Sequence, residues 1–172
     1  MFLKSAPALR RRKLKLAFAA LFLLPFAGAS NATQVTSTFT VQMTLTPTCI
    51  INSTSTLDFG SQGVLTANVD QTSNLAVQCT NTTPYSIGLD AGTGNGATFA
   101  VRKLTSGSNT VNYSLYSDSG RSVVWGNTIS TNTVAGIGNG ASQSYPIYGR
   151  VPPQTTPAAG SYSDTITVTV TY

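Results

Sequence analysis

Apolar and polar side chains alternate along the last stretch of the chain. From Tyr162 to Tyr172 every second residue is apolar or aromatic, except Asp164, and Ser163 and a run of threonines fill the positions between them. A period of two in β-branched residues predicts a half-buried β-strand. No turn or further strand follows in the sequence, which raises the question of what lies beside this one.

A second long alternating run lies near the start, in residues 34–46. It continues for about a dozen residues, which is long for one strand, and Pro47 ends it. Leu45 fits either this run or the strand that follows. The larger side chains share one face, and the odd-numbered positions of that face are Val35, Ser37, Phe39, Val41 and Met43.

Shorter runs between turn residues predict the remaining strands. Pro146 argues for an edge or a bulge where it occurs. Two similar glycine-rich segments, 91–97 and 135–141, are predicted to be turns, and no segment after residue 30 has a helical pattern. The sequence therefore predicts an all-β domain, a sandwich or a barrel. The predicted short strands are residues 49–51, 57–60, 73–79, 85–90, 97–104, 111–118, 122–126 and 143–151.

The N-terminal residues are typical of a secretory signal peptide. Six of the ten basic residues lie in the first fifteen positions, and the apolar run 16–27 follows them. This run is too short to span a bilayer comfortably. Small residues then predict cleavage after Ala29, with Ala32 as the second choice. Residues 1–29 are thus interpreted as the signal peptide.

Charge and composition exclude several function classes. Residues 30–172 carry four basic and five acidic side chains, so a basic nucleic-acid surface has no support. The chain contains no histidine, and its acidic residues are all aspartate, with no close sequence pair. The usual general base and the commonest metal ligand are therefore missing, and we expect neither an enzyme nor a cofactor.

Two cysteines, Cys49 and Cys79, remain after the predicted signal peptide. In an exported protein two cysteines are expected to form one disulfide. The disulfide would close a loop of 30 residues (79 − 49). Closing a loop of this size would stabilise the fold by about 3–4 kcal/mol. Two free buried thiols are the alternative.

The aromatic residues allow two interpretations. They could form a sugar-stacking platform, or they could fill the core of a sandwich, which is the commoner use of buried aromatics. The residues concerned are Trp125, Tyr113, Tyr116, Tyr145 and Tyr148.

Two arrangements would give the last strand a neighbour. In an outer-membrane β-barrel the sheet closes on itself, but the predicted strands are short for such a barrel. In an incomplete sandwich a partner supplies the missing strand, because an unpaired edge beside an apolar face is a liability. Residues 34–46 have the alternation that such a donor strand needs.

Four stretches carry a family resemblance that, taken in order, covers essentially the whole chain after the predicted signal peptide. They are "TPTCIINSTSTLDFG", "LAVQCTNTTPYSIGLDAG", "VNYSLYSDSGRSVVWG" and "YPIYGRVPPQTTPAAGSYSDTITVTVTY". In these stretches the chain resembles the spore coat protein U domain family, which includes the subunits of archaic (Csu-type) chaperone–usher pili.

The resemblance implies an incomplete immunoglobulin-like sandwich, residues 47–172, that lacks its seventh strand. It also implies that Cys49 and Cys79 tie the first strand to the second. A periplasmic chaperone would lend a strand, and an outer-membrane usher would replace it with the N-terminal segment of the next subunit. The product would be a surface pilus of a Gram-negative bacterium that supports adhesion and biofilm formation. A tip adhesin that binds carbohydrate is the alternative.

Within that scheme the residues receive roles. Residues 30–46 are the donor segment, with Val35, Phe39, Val41 and Met43 as its large side chains and Ser37 at a tighter position. The acceptor groove is lined by the apolar face of the last strand, which consists of Tyr162, Ile166, Val168, Val170 and Tyr172.

Overall fold

The computed structural model describes residues 31–172. The predicted signal peptide and its cleavage site after Ala29 lie outside the described residues. The chain divides after Gln42 into two units. Residues 31–42 form no strand and expose every side chain, whereas the strands of the described residues all lie in the second unit, residues 43–172.

The second unit contains eight β-strands, and residues 31–172 contain no helix, so the predicted all-β class is confirmed. No segment of this part of the chain is therefore a helix that could cross a membrane. In chain order the strands are β1 (Cys49–Thr54), β2 (Val69–Cys79), β3 (Pro84–Leu89), β4 (Arg102–Ser106), β5 (Asn109–Tyr116), β6 (Val134–Ile137), β7 (Ser142–Val151) and β8 (Val168–Thr171).

The strands form two open, antiparallel sheets that pack face to face. One sheet has the order β1-β2-β7-β5-β4 and the other has the order β6-β3-β8. Strand β2 shows how the pattern produces this packing, because its buried side chains alternate with half-buried ones from Ser73 to Cys79. Both sheets contribute to one core, whose most buried members are Leu75, Val77, Cys79, Ile87, Leu89 and Trp125.

Three predicted strands are wrong in whole or in part. Residues 57–60 form a loop, which turns at Gly60 in a left-handed conformation (φ 69°). Residues 122–126 make a single bridge, between Val124 and β5. The predicted strand 97–104 begins only at Arg102, because a hydrogen-bonded turn occupies the residues before it.

Strand β6 was predicted as part of the turn 135–141. The misleading residue is Gly136, which packs against two tyrosine side chains. A Cβ atom at this position would come within 2.6 Å of the Tyr145 hydroxyl and 2.7 Å of the Tyr85 hydroxyl. The glycine therefore serves close packing inside a strand that pairs with β3.

Pro146 lies in β7, which is an inner strand of the five-stranded sheet. Pro146 is opposite Asn74 of β2, whereas β5 pairs only with residues 148–150 on the other side. The strand is thus locally an edge at Pro146, which agrees with the prediction and explains how the sheet tolerates a residue that has no N–H.

Arg102 is fully buried, and its guanidinium donates to four backbone carbonyls, one at the end of β3 and three in loops. Its Nε donates to Asp90 O (2.9 Å) and its Nη1 donates to Phe99 O (2.9 Å). Its Nη2 donates to Trp125 O (2.7 Å) and to Leu89 O (3.3 Å). The planar fork of donors therefore joins three separate chain segments.

The last segment of the chain is held by two aspartates. Asp90 accepts a hydrogen bond from Thr167 N (3.0 Å) and donates its own N–H to Thr167 O (3.1 Å). Asp164 accepts from the Tyr113 hydroxyl (2.8 Å) and from Thr93 N (2.8 Å). Asp164 is the polar exception in the alternating pattern, and these bonds satisfy it on the inward face.

Replacing Arg102 by methionine should lower the free energy of unfolding by about 3–5 kcal/mol, because buried carbonyls lose their donors. Arg102→Lys should recover only part of the loss, since an ammonium group cannot reproduce the planar fork. Urea unfolding with the disulfide intact measures both. Lys103→Met is the control and should have a smaller effect, because Lys103 makes one exposed bond to a carbonyl. Full recovery with lysine would contradict this role.

Acid should destabilise the fold partly through Asp90. Burial raises the pKa of this carboxyl, but the hydrogen bonds from Thr167 and Gly92 and the charge of Arg102 outweigh burial, so the pKa lies below its ordinary value of 3.8. Such a group stabilises the fold above the unfolded-state pKa and loses this contribution as the pH falls through the folded-state pKa.

Between pH 7 and about pH 3, wild type should therefore lose more unfolding free energy than Asp90→Asn, whose amide does not titrate. Urea unfolding at both pH values measures the difference. Equal losses in the two proteins would show that Asp90 does not couple stability to pH.

Candidate functional site

Two strand edges face one open side of the sandwich. Strand β1 pairs with β2 and strand β8 pairs with β3, and within residues 31–172 neither has a strand on its other edge. The two strands belong to different sheets and approach each other. Backbone N–H and C=O groups at an unpaired edge are ready to bond an added strand.

Two cavities lie along this open side. One has a volume of about 830 Å³ and lies between residues 57–65 and residues 156–162. The other has a volume of about 730 Å³ and is lined by Tyr172, by residues 45–48 with Ile50, and by residues 78–84. The same two chain segments thus border both cavities, and they run in opposite directions.

We call residues 47–65 the first wall, residues 156–172 the second wall, and the space between them the groove. The floor of the groove comes from the core strands. Leu104, Val111 and Val151 form it at the larger cavity, and Gln78 and Cys79 of β2 border the smaller one. The groove is therefore a slot between two edges that lack a neighbour, and apolar side chains of both walls and of the core line part of it.

The second wall turns its predicted apolar face to the core but covers it only in part. Tyr162, Ile166, Val168 and Val170 are half-buried against the core, and Ser163 and the threonines between them are exposed. Tyr172, at the end of the wall, is 58% exposed. The side chains of this face point inward as the alternation predicts, and their incomplete burial is what a missing neighbour would cause.

The predicted strand from Tyr162 onward is regular only over its last part. Strand β8 covers Val168–Thr171. Earlier in the segment Ser163 makes an isolated bridge with Thr105 of β4. The segment crosses from the edge of the larger sheet to β3 of the smaller one, so it cannot form one continuous ladder.

The predicted disulfide is confirmed. Cys49 and Cys79 are bonded, and they are also directly paired at the ends of β1 and β2. The bond fixes the first wall to the five-stranded sheet beside the smaller cavity, which Cys79 borders.

The predicted donor residues are unpaired and exposed. Val35 and Phe39 are 91% and 87% exposed, and Val41 and Met43 are nearly as exposed. Ser37 is exposed too, and residues 31–48 form no strand. Large apolar side chains therefore remain uncovered, and the donor role of this segment stays a prediction.

The aromatic residues do not form a common exposed platform. Trp125 and Tyr113 are buried in the core, and the indole Nε1 of Trp125 donates to Ile87 O (2.9 Å). Tyr116, Tyr145 and Tyr148 are half-buried. The core interpretation holds for the first two, which leaves the sugar-stacking interpretation without its tryptophan.

Sequence reasoning missed the larger cavity. Leu57 and Phe59 were assigned to a short strand, although they project from the first wall over Gly149 of β7, where a Cβ atom would lie 2.8 Å from Leu57. Their alternation was a signal that one face is apolar, but not that this face borders a groove.

Comparisons with known proteins agree with this architecture. Protein U of Myxococcus xanthus is 32% identical over 169 residues, which cover 90% of this chain and 93% of that protein. A chain in the crystal structure of the CsuC–CsuE chaperone–tip adhesion subunit pre-assembly complex, from the archaic chaperone–usher Csu pili of Acinetobacter baumannii, is also similar. Its TM-score is 0.54 and its identity is 26%.

That structural match covers 75% of this chain and 40% of the other, so this chain spans less than half of its length. It supports the immunoglobulin-like sandwich. The model of the Spore Coat Protein U domain matches residues 35–169, which is most of the sequence. The chain belongs to the Spore Coat Protein U domain family.

Proposed function

We propose that this protein is a structural subunit of a surface pilus, and that its groove receives an extended strand from another protein. The observation that carries the proposal is the apolar groove between two unpaired strand edges. Family membership and the similarity to a chain from a chaperone–usher pilus complex support it. The role is one of assembly, and it needs no catalytic group.

The occupant of the groove in the fibre is residues 34–46 of a neighbouring subunit. At about 3.3 Å per residue, the span from Val35 to Met43 is about 26 Å, and that from Tyr162 to Tyr172 is about 33 Å. The donor segment is therefore long enough to lie along most of the second wall. Its exposed apolar face would cover the half-buried face of that wall.

Side-chain burial dominates the energy of this contact. Each main-chain hydrogen bond contributes about 1 kcal/mol net, whereas each large apolar side chain contributes about 1.5–3 kcal/mol on burial. Val35, Phe39, Val41 and Met43 therefore determine the strength of the contact, with Ser37 at the tightest place. Because so much surface must be exposed for release, dissociation is slow.

The donor and the groove lie on different parts of one chain, so the contact is head-to-tail. A heterologous contact that does not close into a ring produces an open fibre. Before assembly a periplasmic chaperone lends a strand to the groove, and an outer-membrane usher guides the replacement by the next subunit. The disulfide suits this exported route, because it forms in an oxidising compartment.

A subunit at the tip of a fibre is the second candidate. One observation favours it: the similar crystal structure contains a tip adhesion subunit. A tip subunit uses its groove but needs no donor segment, since nothing lies beyond it. The alternating segment 34–46 therefore favours a subunit that polymerises.

The test is expression of the full chain with its chaperone and usher, followed by electrophoresis in SDS without boiling or reduction. We expect a regular ladder of multimers that collapses to monomer on boiling, because strand exchange resists SDS until the sandwich unfolds. A single monomer band under both conditions would contradict the proposed function.

Phe39→Asp should abolish the ladder while secretion and chaperone binding persist, because it places a charge in the apolar groove. Deletion of residues 30–42 should do the same. Thr38→Asp is the matched control, since it puts the same charge on the opposite face of the donor, and it should keep the ladder. Full-length fibres from Phe39→Asp would contradict the donor assignment.

A further inference from the structure

Gln154 links both walls of the groove to its floor. Its side-chain amide makes a reciprocal pair of hydrogen bonds with the backbone of Asn112 in β5: Nε2 donates to Asn112 O (2.9 Å), and Oε1 accepts from Asn112 N (2.9 Å). The amide takes the place that an adjacent strand would occupy beside Asn112. Nε2 also donates to Pro152 O (3.2 Å).

The backbone around Gln154 holds the first wall. Gln154 N donates to Leu65 O (3.0 Å), and the Thr156 hydroxyl oxygen accepts from Leu65 N (2.8 Å). Leu65 is the end of the first wall, and Thr156 is the start of the second. Both walls are therefore tied together at one end of the larger cavity, and the Gln154 side chain fixes the tie to β5.

This tie matters because the walls beside the larger cavity are loops. Residues 57–65 and 156–162 form no strand with each other or with the sheets. Apolar surfaces that face an open slot are driven to close on each other. The slot must nevertheless stay wide enough for a strand, which needs about 4.8 Å on each side.

We infer that Gln154 is a positioning residue of the groove, which holds its walls at the separation that a donor strand requires. The inference rests on the proposed function and assigns Gln154 an effect on donor binding beyond fold stability. Gln154 has no contact with the donor in this scheme; it acts through Leu65, Thr156 and Asn112.

The experiment measures how fast the protein releases a bound, fluorescently labelled synthetic peptide of residues 33–46. The full exported chain, with its disulfide intact, is refolded from guanidinium at low concentration with the peptide in excess. The rate of peptide loss is then measured after adding unlabelled peptide. The proteins compared are wild type, Gln154→Ala, Gln154→Glu and Thr155→Ala, at pH 7 and about pH 4.

Gln154→Ala should release the peptide about tenfold faster than wild type at both pH values, since the reciprocal bonds are lost. Gln154→Glu is the sharper variant. At pH 7 its carboxylate cannot donate to Asn112 O, so it should also release the peptide about tenfold faster. Near its ordinary pKa of about 4.3 the protonated carboxyl regains one donor and one acceptor.

The release rate of Gln154→Glu should therefore fall to about twice the wild-type rate at pH 4. The release rate of Gln154→Ala, relative to wild type, should not change. Thr155→Ala, an exposed neighbour, should match wild type throughout. Wild-type release rates in Gln154→Ala, or no pH rescue in Gln154→Glu, would overturn this role while the proposed function stands. A wild-type protein that binds no peptide would overturn both.

Discussion

A sandwich core that is open along one side imposes the main constraint on this molecule. Between β1 and β8 the described chain supplies neither backbone partners nor apolar cover. A free edge beside an apolar face favours association with another strand, and the same surfaces also tend to collapse on each other. The open side must therefore stay accessible to a strand and keep the width that a strand needs.

The walls of the groove are held by ties that do not depend on a strand in the gap. The disulfide of Cys49 fixes the first wall at one end. Near the middle of the second wall, Thr167 donates a hydrogen bond to Asp90, and Asp164 of the wall accepts one from Tyr113. The guanidinium of the buried Arg102 also binds the backbone carbonyls of Asp90 and Trp125. Within residues 31–172 every buried side-chain polar atom has a hydrogen-bond partner, so this network costs little in unsatisfied groups.

Simple alternation was sufficient to predict the elements that line the core. Strands β2, β3, β5 and β7 and the inward face of the second wall all carry β-branched or aromatic residues with a period of two. The disulfide followed from the exported context and the cysteine count. These features depend on local sequence and elementary chemistry, which a single chain contains.

Other features depend on contacts between distant residues. Gly136 suggested a turn because only tertiary packing shows that two tyrosines need its missing side chain. The first wall could not be predicted as a wall, because Leu57 and Phe59 acquire that role from the position of β7. The burial of Arg102 could not be predicted, since the carbonyls that bind it come from three separate segments.

The position of the disulfide has a mechanical consequence for a fibre of the proposed kind. Tension on the donor segment would enter the fold at Cys49, the first residue of β1. From there the covalent bond passes the force directly to Cys79 at the end of β2, so the hydrogen bonds of β1 are not peeled open one after another. The force is then resisted by β2 and β7, which pair over ten positions and would have to break in shear all at once.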